Sequence, residues 1–312
     1  YRVNSSLAMR VNFRDFIAEF QLGNFMQFPT LTSYLNWAKG HAPKGPFAFI
    51  FAQDDIELTH TVAHHIKLGF PQTVVLADPP LARPADLPAE TAFVQRAIKS
   101  SADISQEMNA IISALPRQWI YCCYNGEYLF YPFCESRSIG EMIAFTTEER
   151  RMTIPTTVVD LYAGNLRQSP DWVDVTNTYL DRLGYYAQIR QDAQNVPLER
   201  QVNIFGGLRR RFEKHVPWEK RRLDRVALFQ AVRGLKFQPD FTFNRPEFNT
   251  ISCPWHHNVT AAIGSFRAAK SLRRNPGSRN AISSFQWPGS EQFKWHSQHL
   301  MDLGFMEPGQ WF

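Results

Sequence analysis

Trp119 to Pro132 reads WIYCCYNGEYLFYP, and this stretch decides the fold. Trp119 to Cys123 is a short apolar run of the kind that makes a buried β-strand. Asn125-Gly126 is turn chemistry, because both residue types tolerate left-handed backbone. Tyr128 to Tyr131 then resumes an apolar, aromatic segment. A strand therefore ends in a tight turn that carries one acid, Glu127.

Working outward, Phe47 to Ala52 predicts a buried strand, Ile56 to Leu68 a helix that stops at Gly69, and Thr73 to Ala77 a second strand. That is β-α-β at the spacing of a parallel crossover, right-handed by default. Pro79 to Pro88 reads as a surface loop, and Ala89 to Leu115 as an amphipathic helix ending before Pro116. A helix at Ile139 to Arg150, a strand at Thr156 to Leu161, an irregular region from Ala163 to Asn203 and a strand at Phe237 to Phe243 follow. Before all this, Phe13, Phe16, Ile17 and Phe20 repeat at helical spacing, and Pro29, Gly40, Pro43 and Gly45 read as a linker. The expected class is α/β, a mixed and mostly parallel sheet flanked by helices. Its parts are a helical extension with linker over 1–45, a main domain over 46–205, and a basic, His/Trp-rich part over 206–312 that completes that domain.

Aromatic residues make up 14% of the 312-residue chain, with 25 Phe, which argues for a large packed core over a disordered chain. No apolar run approaches the roughly eighteen residues of a membrane span. Cys122, Cys123, Cys134 and Cys253 form no CxxC pair, and two are adjacent in the buried strand, so a reducing cytoplasm fits better than a disulfide framework or zinc site. The chain starts at Tyr1 without Met, which leaves room for a removed leader or a preceding segment.

The net charge of +5 is local. Arg209 to Arg225 holds eight Lys and Arg against Glu213, Glu219 and Asp224, a surplus equal to that of the whole chain. Such a segment suits sugar-nucleotide phosphates, anionic lipid headgroups at a membrane surface, or nucleic acid, beside the plain reading of a solvated basic helix face. No nucleic-acid-binding motif accompanies it.

In an open α/β sheet, ligands sit at the carboxyl ends of the strands, at the switch point of the topology. Gln53, Asp54 and Asp55, then Asp78, then Tyr124 to Glu127 fall at those ends. Here the chain resembles a bacterial branch of family 2-like glycosyltransferases with the GT-A fold, from about Phe47 to near the C-terminus. Ala52-Gln53-Asp54-Asp55 resembles the branch's Ala-Arg-Asn-Glu, and His64-His65 with Leu68-Gly69-Phe70 its His-Tyr or His-His followed by Leu-Gly-Val. Asp78 falls where the family has a nucleotide-binding aspartate. Asp160-Leu161-Tyr162 resembles its Asp-Met-Tyr, Gly206-Gly207-Leu208-Arg209-Arg210-Arg211 its Gly-Gly-Val-Arg-any-Arg, and His256-His257 its late His pair. Trp119 to Glu127 is similar to the strand that leads into the family's Asp-any-Asp-Glu.

The resemblance implies transfer of a sugar from a nucleotide-sugar donor to a glycan or lipid-linked acceptor. Asp78 would contact the nucleoside, Arg209 and Arg211 the phosphates, and His256 or His257 the pocket. Glu127 or Asp160 would be catalytic, with Glu127 the metal ligand. The departures fall on function: Tyr124 and Gly126 stand where the family has its aspartates, and Ser265-Phe266-Arg267 where it has His-Phe-Lys. A divalent cation, Mn or Mg, wants oxygen ligands that these positions do not supply. Three routes stay open. Arginines bind the diphosphate without metal; Glu127 binds a cation with Asp78, Asp160 or a tail histidine; or catalysis is lost and the crevice binds a partner protein or glycan. No Gly-any-Ser-any-Gly elbow or His-Glu-any-any-His motif points to a hydrolase or metalloprotease.

Overall fold

A computed structural model describes residues 25–252 and 257–311. The helical periodicity at Phe13 to Phe20, and Cys253 and His256, lie outside the described residues.

The strand β2 (Phe47–Ala52) is buried at every position, as a strand covered on both faces should be. It pairs in parallel with β3 (Gln72–Ala77) on one side and β5 (Trp119–Tyr124) on the other. β4 (Ala92–Gln95) and then β1 (Gln27–Phe28) extend the β3 side, also in parallel. Beyond β5 come β11 (Asp224–Gln230), β7 (Thr153–Ala163), β12 (Ala261–Ser265) and β6 (Glu127–Phe130). β8 (Thr178–Asp181) branches from β7 and carries β13 (Ser290–Gln292). Among the described residues this makes an eleven-stranded mixed sheet in which β6, β8 and β11 run against the rest. β9 (Tyr186–Gln191) and β10 (Pro197–Phe205) form a separate antiparallel pair.

Helices flank the sheet: α1 (Leu31–His41), α2 (Leu58–Lys67), α3 (Ser101–Ala114) and α4 (Ile139–Glu148), then the shorter α5 (Gly207–Arg211), α6 (Arg267–Arg274), α7 (Pro276–Arg279) and α8 (Ser297–Asp302). No helix among the described residues is long and apolar enough to cross a membrane. The main core gathers Phe47, Phe49, Phe51, Tyr121 and Phe229 with the buried faces of α1 to α4. Strands β11, β12 and β13 place the C-terminal part in the same sheet as the central strands.

The Asn125-Gly126 turn is where the chain leaves the sheet centre. Gly126 has φ of 77°, a conformation that costs a residue with Cβ. The Asn125 amide donates to the Asp54 and Ile56 carbonyl oxygens at 3.0 and 2.9 Å, stitching the loop after β2 to the turn after β5. β6 does not fold back on β5; it crosses to the far edge and pairs with β12.

The structure corrects four expectations. Ala89 to Leu115 is not one helix: Ala92 to Val94 is buried as β4 against β3, and α3 begins only where Ser100 and Asp103 make a reciprocal capping box. The linker contains α1, which runs through Gly40 and ends on Ala42 in the left-handed conformation. Phe237 to Phe243 is a single bridge, and the region from Ala163 to Asn203 holds β8, β9 and most of β10.

The capping box sets the start of α3 and thereby the loop before it. Ser100→Ala should cost about 1 kcal/mol, read as a lower urea midpoint with unchanged slope. An unchanged midpoint would show that tertiary packing alone fixes that end.

Candidate functional site

Chain order places the switch point between β2 and β5, since β3 and β4 lie on one side of β2 and β5 on the other. A cavity of about 600 Å³ opens there, a volume in the range of small-molecule sites. Gln53 after β2, Ile98 and Lys99 after β4, Tyr124 at the end of β5, Arg225 at the start of β11 and Arg267 after β12 all face it. Among the described residues its Lys and Arg lining is Lys99, Arg209, Lys220, Arg222, Arg225 and Arg267, with His215 beside them, and its acidic lining is Glu219, Asp224 and Asp240.

The floor is Tyr124, with its ring buried against Phe51 and Phe241 at centroid distances of 5.9 and 6.2 Å. The Arg267 guanidinium stacks on this ring at 3.2 Å, and Arg225 lies 5.7 Å away. Beneath is Glu127, wholly buried. Arg225 donates to both its oxygens, Nη1 at 2.6 Å and Nη2 at 3.1 Å. Ser265 Oγ and the Tyr124 backbone N–H add bonds of 3.0 and 2.9 Å. Burial alone would raise the Glu127 carboxyl; the Arg225 charge and its hydrogen bonds, with Arg267, outweigh that and hold it at about 2. Both oxygens are therefore engaged, and a role as base or metal ligand requires the Arg225 pair to open.

Asp160, wholly buried on β7, accepts from Arg209 Nε at 3.1 Å and from its backbone N–H at 3.2 Å. Gly207 makes this approach possible: its φ is 58°, and a Cβ there would lie 2.9 Å from Asp160 Oδ2. Burial, with Asp181 nearby, leaves the Asp160 carboxyl above its ordinary value despite Arg209. Arg209 also reaches the Arg222 carbonyl at 2.7 Å and borders the cavity. Arg211 turns elsewhere. It pairs with Asp181 at 2.7 Å, in a cluster where Asp181 also accepts from Tyr162 and Trp287, and it is not a cavity residue.

Asp78 accepts from the Ile98 backbone N–H at 2.7 Å and so anchors the loop carrying Lys99 to the end of β3. His257 is exposed, 3.2 Å from Glu307, and borders a second cavity of about 340 Å³ instead of the first. The structure thus brings Arg209 and the floor above Glu127 to one cavity, sets Asp78 behind its wall, and places Arg211 and His257 elsewhere. Histidines 64 and 65 pack: His64 Nε2 meets the Leu129 carbonyl at 2.7 Å, and His65 is wholly buried beside Tyr121.

The basic run is not a solvated helix face. Arg209, Arg211 and Arg225 enter the pairs above, Arg210 and Arg221 share Glu213, and Arg222 bridges Asp224 and Asp240. Its surplus charge is spent mostly on acids donated by other strands. Arg225 and Arg267 are the residues that sequence reasoning passed over. Arg225 was one basic residue among eight, and Arg267 was visible only as a departure from the resembling family's lysine.

The donor chemistry at the turn does not fit a divalent cation. Tyr124 and Gly126 offer no carboxylate, Glu127 is saturated, and two guanidiniums face the place where the ion would sit. No cluster of three His, Cys, Asp or Glu suited to a metal occurs among the described residues.

The Glu127 pair makes an acid-sensitive contribution to stability. Its folded carboxyl lies below the ordinary 4.5, so the contribution is complete above about pH 4.5 and drains away as pH falls towards 2. Glu127→Gln should lose about 3–5 kcal/mol at neutral pH by leaving Arg225 buried without its counter-charge. It should also flatten the fall in urea-unfolding free energy between pH 4.5 and 2. An equally steep acid limb in the variant would refute this assignment.

No protein-family model matches this chain, and no curated protein matches it.

Proposed function

We propose that the chain binds a nucleotide sugar in the switch-point cavity and transfers its sugar to a glycan or lipid-linked acceptor, holding the diphosphate with arginines instead of a divalent cation. The observation that carries this reading is the cavity itself: it lies at the carboxyl ends of parallel strands, has the volume of a nucleotide-sized site, and is lined by twice as many Lys and Arg as Asp and Glu. The GT-A resemblance of Trp119 to Glu127, Asp160 to Tyr162 and Gly206 to Arg211 supplies the substrate class, and the mixed, helix-flanked sheet is compatible with it.

In this reading Arg267 and Arg209 meet phosphate oxygens, for which planar guanidinium forks are suited. The loop held by Asp78 lies over the nucleoside end. Positive charge fixed beside the phosphates would stabilise the charge that develops on the departing nucleoside diphosphate. Glu219 is the lining carboxylate without an ion pair among the described residues, which makes it the available base for an acceptor hydroxyl. The protein would act in the cytoplasm, free or against a membrane surface.

A second reading, a catalytically inactive relative that binds a partner protein or glycan, draws support from one observation: Glu127 and Asp160 are both consumed by arginine pairs. Calorimetry with UDP, GDP and their sugars separates the two when followed by nucleotide release in the presence of glycan acceptors. Binding of equal strength in EDTA and in Mn²⁺, with acceptor-dependent release, is the expected result. Failure to bind any of these nucleotides in either condition would end the nucleotide-sugar reading, and binding without release would favour the inactive one.

A further inference from the structure

The other arginines that line the cavity are committed. Arg209 faces Asp160, Arg222 faces Asp224 and Asp240, Arg225 faces Glu127, and behind the wall Lys270 and Arg274 hold Asp54. Arg267 is different. It is half-buried, it borders the cavity, and no carboxylate stands within ion-pair distance of it among the described residues. Its guanidinium carbon lies over the Tyr124 ring, 3.2 Å from the centroid, and none of the guanidinium N–H donors meets a hydrogen-bond acceptor among the described residues, so they are left for another partner. Burying a guanidinium without a paired carboxylate is costly: burial pulls the Arg267 guanidinium below its ordinary value, the nearby Glu127 charge offsets part of that, and the like charges of Arg225 and Arg209 add to it. An anion within reach of Arg267 would offset that cost.

Resting on the nucleotide-sugar reading, we propose that Arg267 is the primary receptor for the diphosphate, with the Tyr124 ring as the platform that holds its guanidinium fork edge-on to the cavity. Glu127 takes no direct part. It neutralises Arg225 beneath the floor, so that the positive charge presented to the ligand is that of Arg267. Tyr124 is then a positioning residue: its ring limits the arginine's rotamers, and this predicts that flattening the platform weakens anion binding without removing a charge.

Inorganic pyrophosphate is the probe, titrated calorimetrically into the full chain in EDTA at two salt concentrations. Arg267→Gln should weaken binding about tenfold or more, the worth of a charge-assisted hydrogen-bond pair. Arg267→Lys should fall between, since it keeps the charge and loses the fork. Tyr124→Leu should weaken binding less than Arg267→Gln. A measurement on the unaltered protein guards against misfolded variants: phenylglyoxal labelling of Arg267, mapped by mass spectrometry, should slow when pyrophosphate is present. If the unaltered chain binds pyrophosphate or UDP and Arg267→Gln binds as well, with labelling of Arg267 unprotected, the Arg267 assignment is overturned and the nucleotide-sugar reading survives. If the unaltered chain binds neither pyrophosphate nor UDP, with or without Mn²⁺, both fall.

Discussion

The buried pair between Glu127 and Arg225 is the constraint on which the rest of the site depends. The two residues come from β6 and β11, strands that are not neighbours in the sheet, and they meet under the turn that ends β5. Two ions so deep lose most of their hydration, and only close, two-pronged geometry with further hydrogen bonds offsets that loss. Here those bonds come from Ser265 and from the Tyr124 backbone, so the pair also fixes β12 and the end of β5. Opening it would unsettle four strands at once.

Charge in this molecule is organised in layers. Among the described residues each buried acid contributed by a strand has an arginine: Glu127 with Arg225, Asp160 with Arg209, Asp181 with Arg211. Around the cavity, Arg267, Lys99 and Lys220 remain without ion pairs among the described residues. The interior is balanced and the cleft is left positive, which is the distribution a site for an anion needs. A buried acid does not make a cleft acidic when its partner is the residue that faces the cleft.

The sheet centre was legible because its strands are unbroken apolar runs, FAFIFA and WIYCC, the second followed closely by Asn-Gly. β4 was not, because Ala-Phe-Val-Gln sits directly before a real helix and its apolar residues merge with that helix's pattern. β9 was hidden for the opposite reason: it is almost wholly exposed, so burial imposes no alternation on it. At the site, Glu127 stood out as a lone acid at a strand-end turn, and Arg209 as part of a run. Their partners did not, since Arg225 is 98 residues from Glu127 and Arg209 is 49 from Asp160. Which acid meets which arginine depends on how β6, β7 and β11 are ordered across the sheet, and no local pattern encodes that.

The most direct test is a carbon-13 NMR titration of the Glu127 side-chain carboxyl in the folded protein. The signal should stay at its ionised position from neutral pH down to about pH 3, with a midpoint near 2. A midpoint at or above the ordinary 4.5 would mean that Arg225 does not hold this carboxylate, and that Glu127 is free for the roles the ion pair denies it.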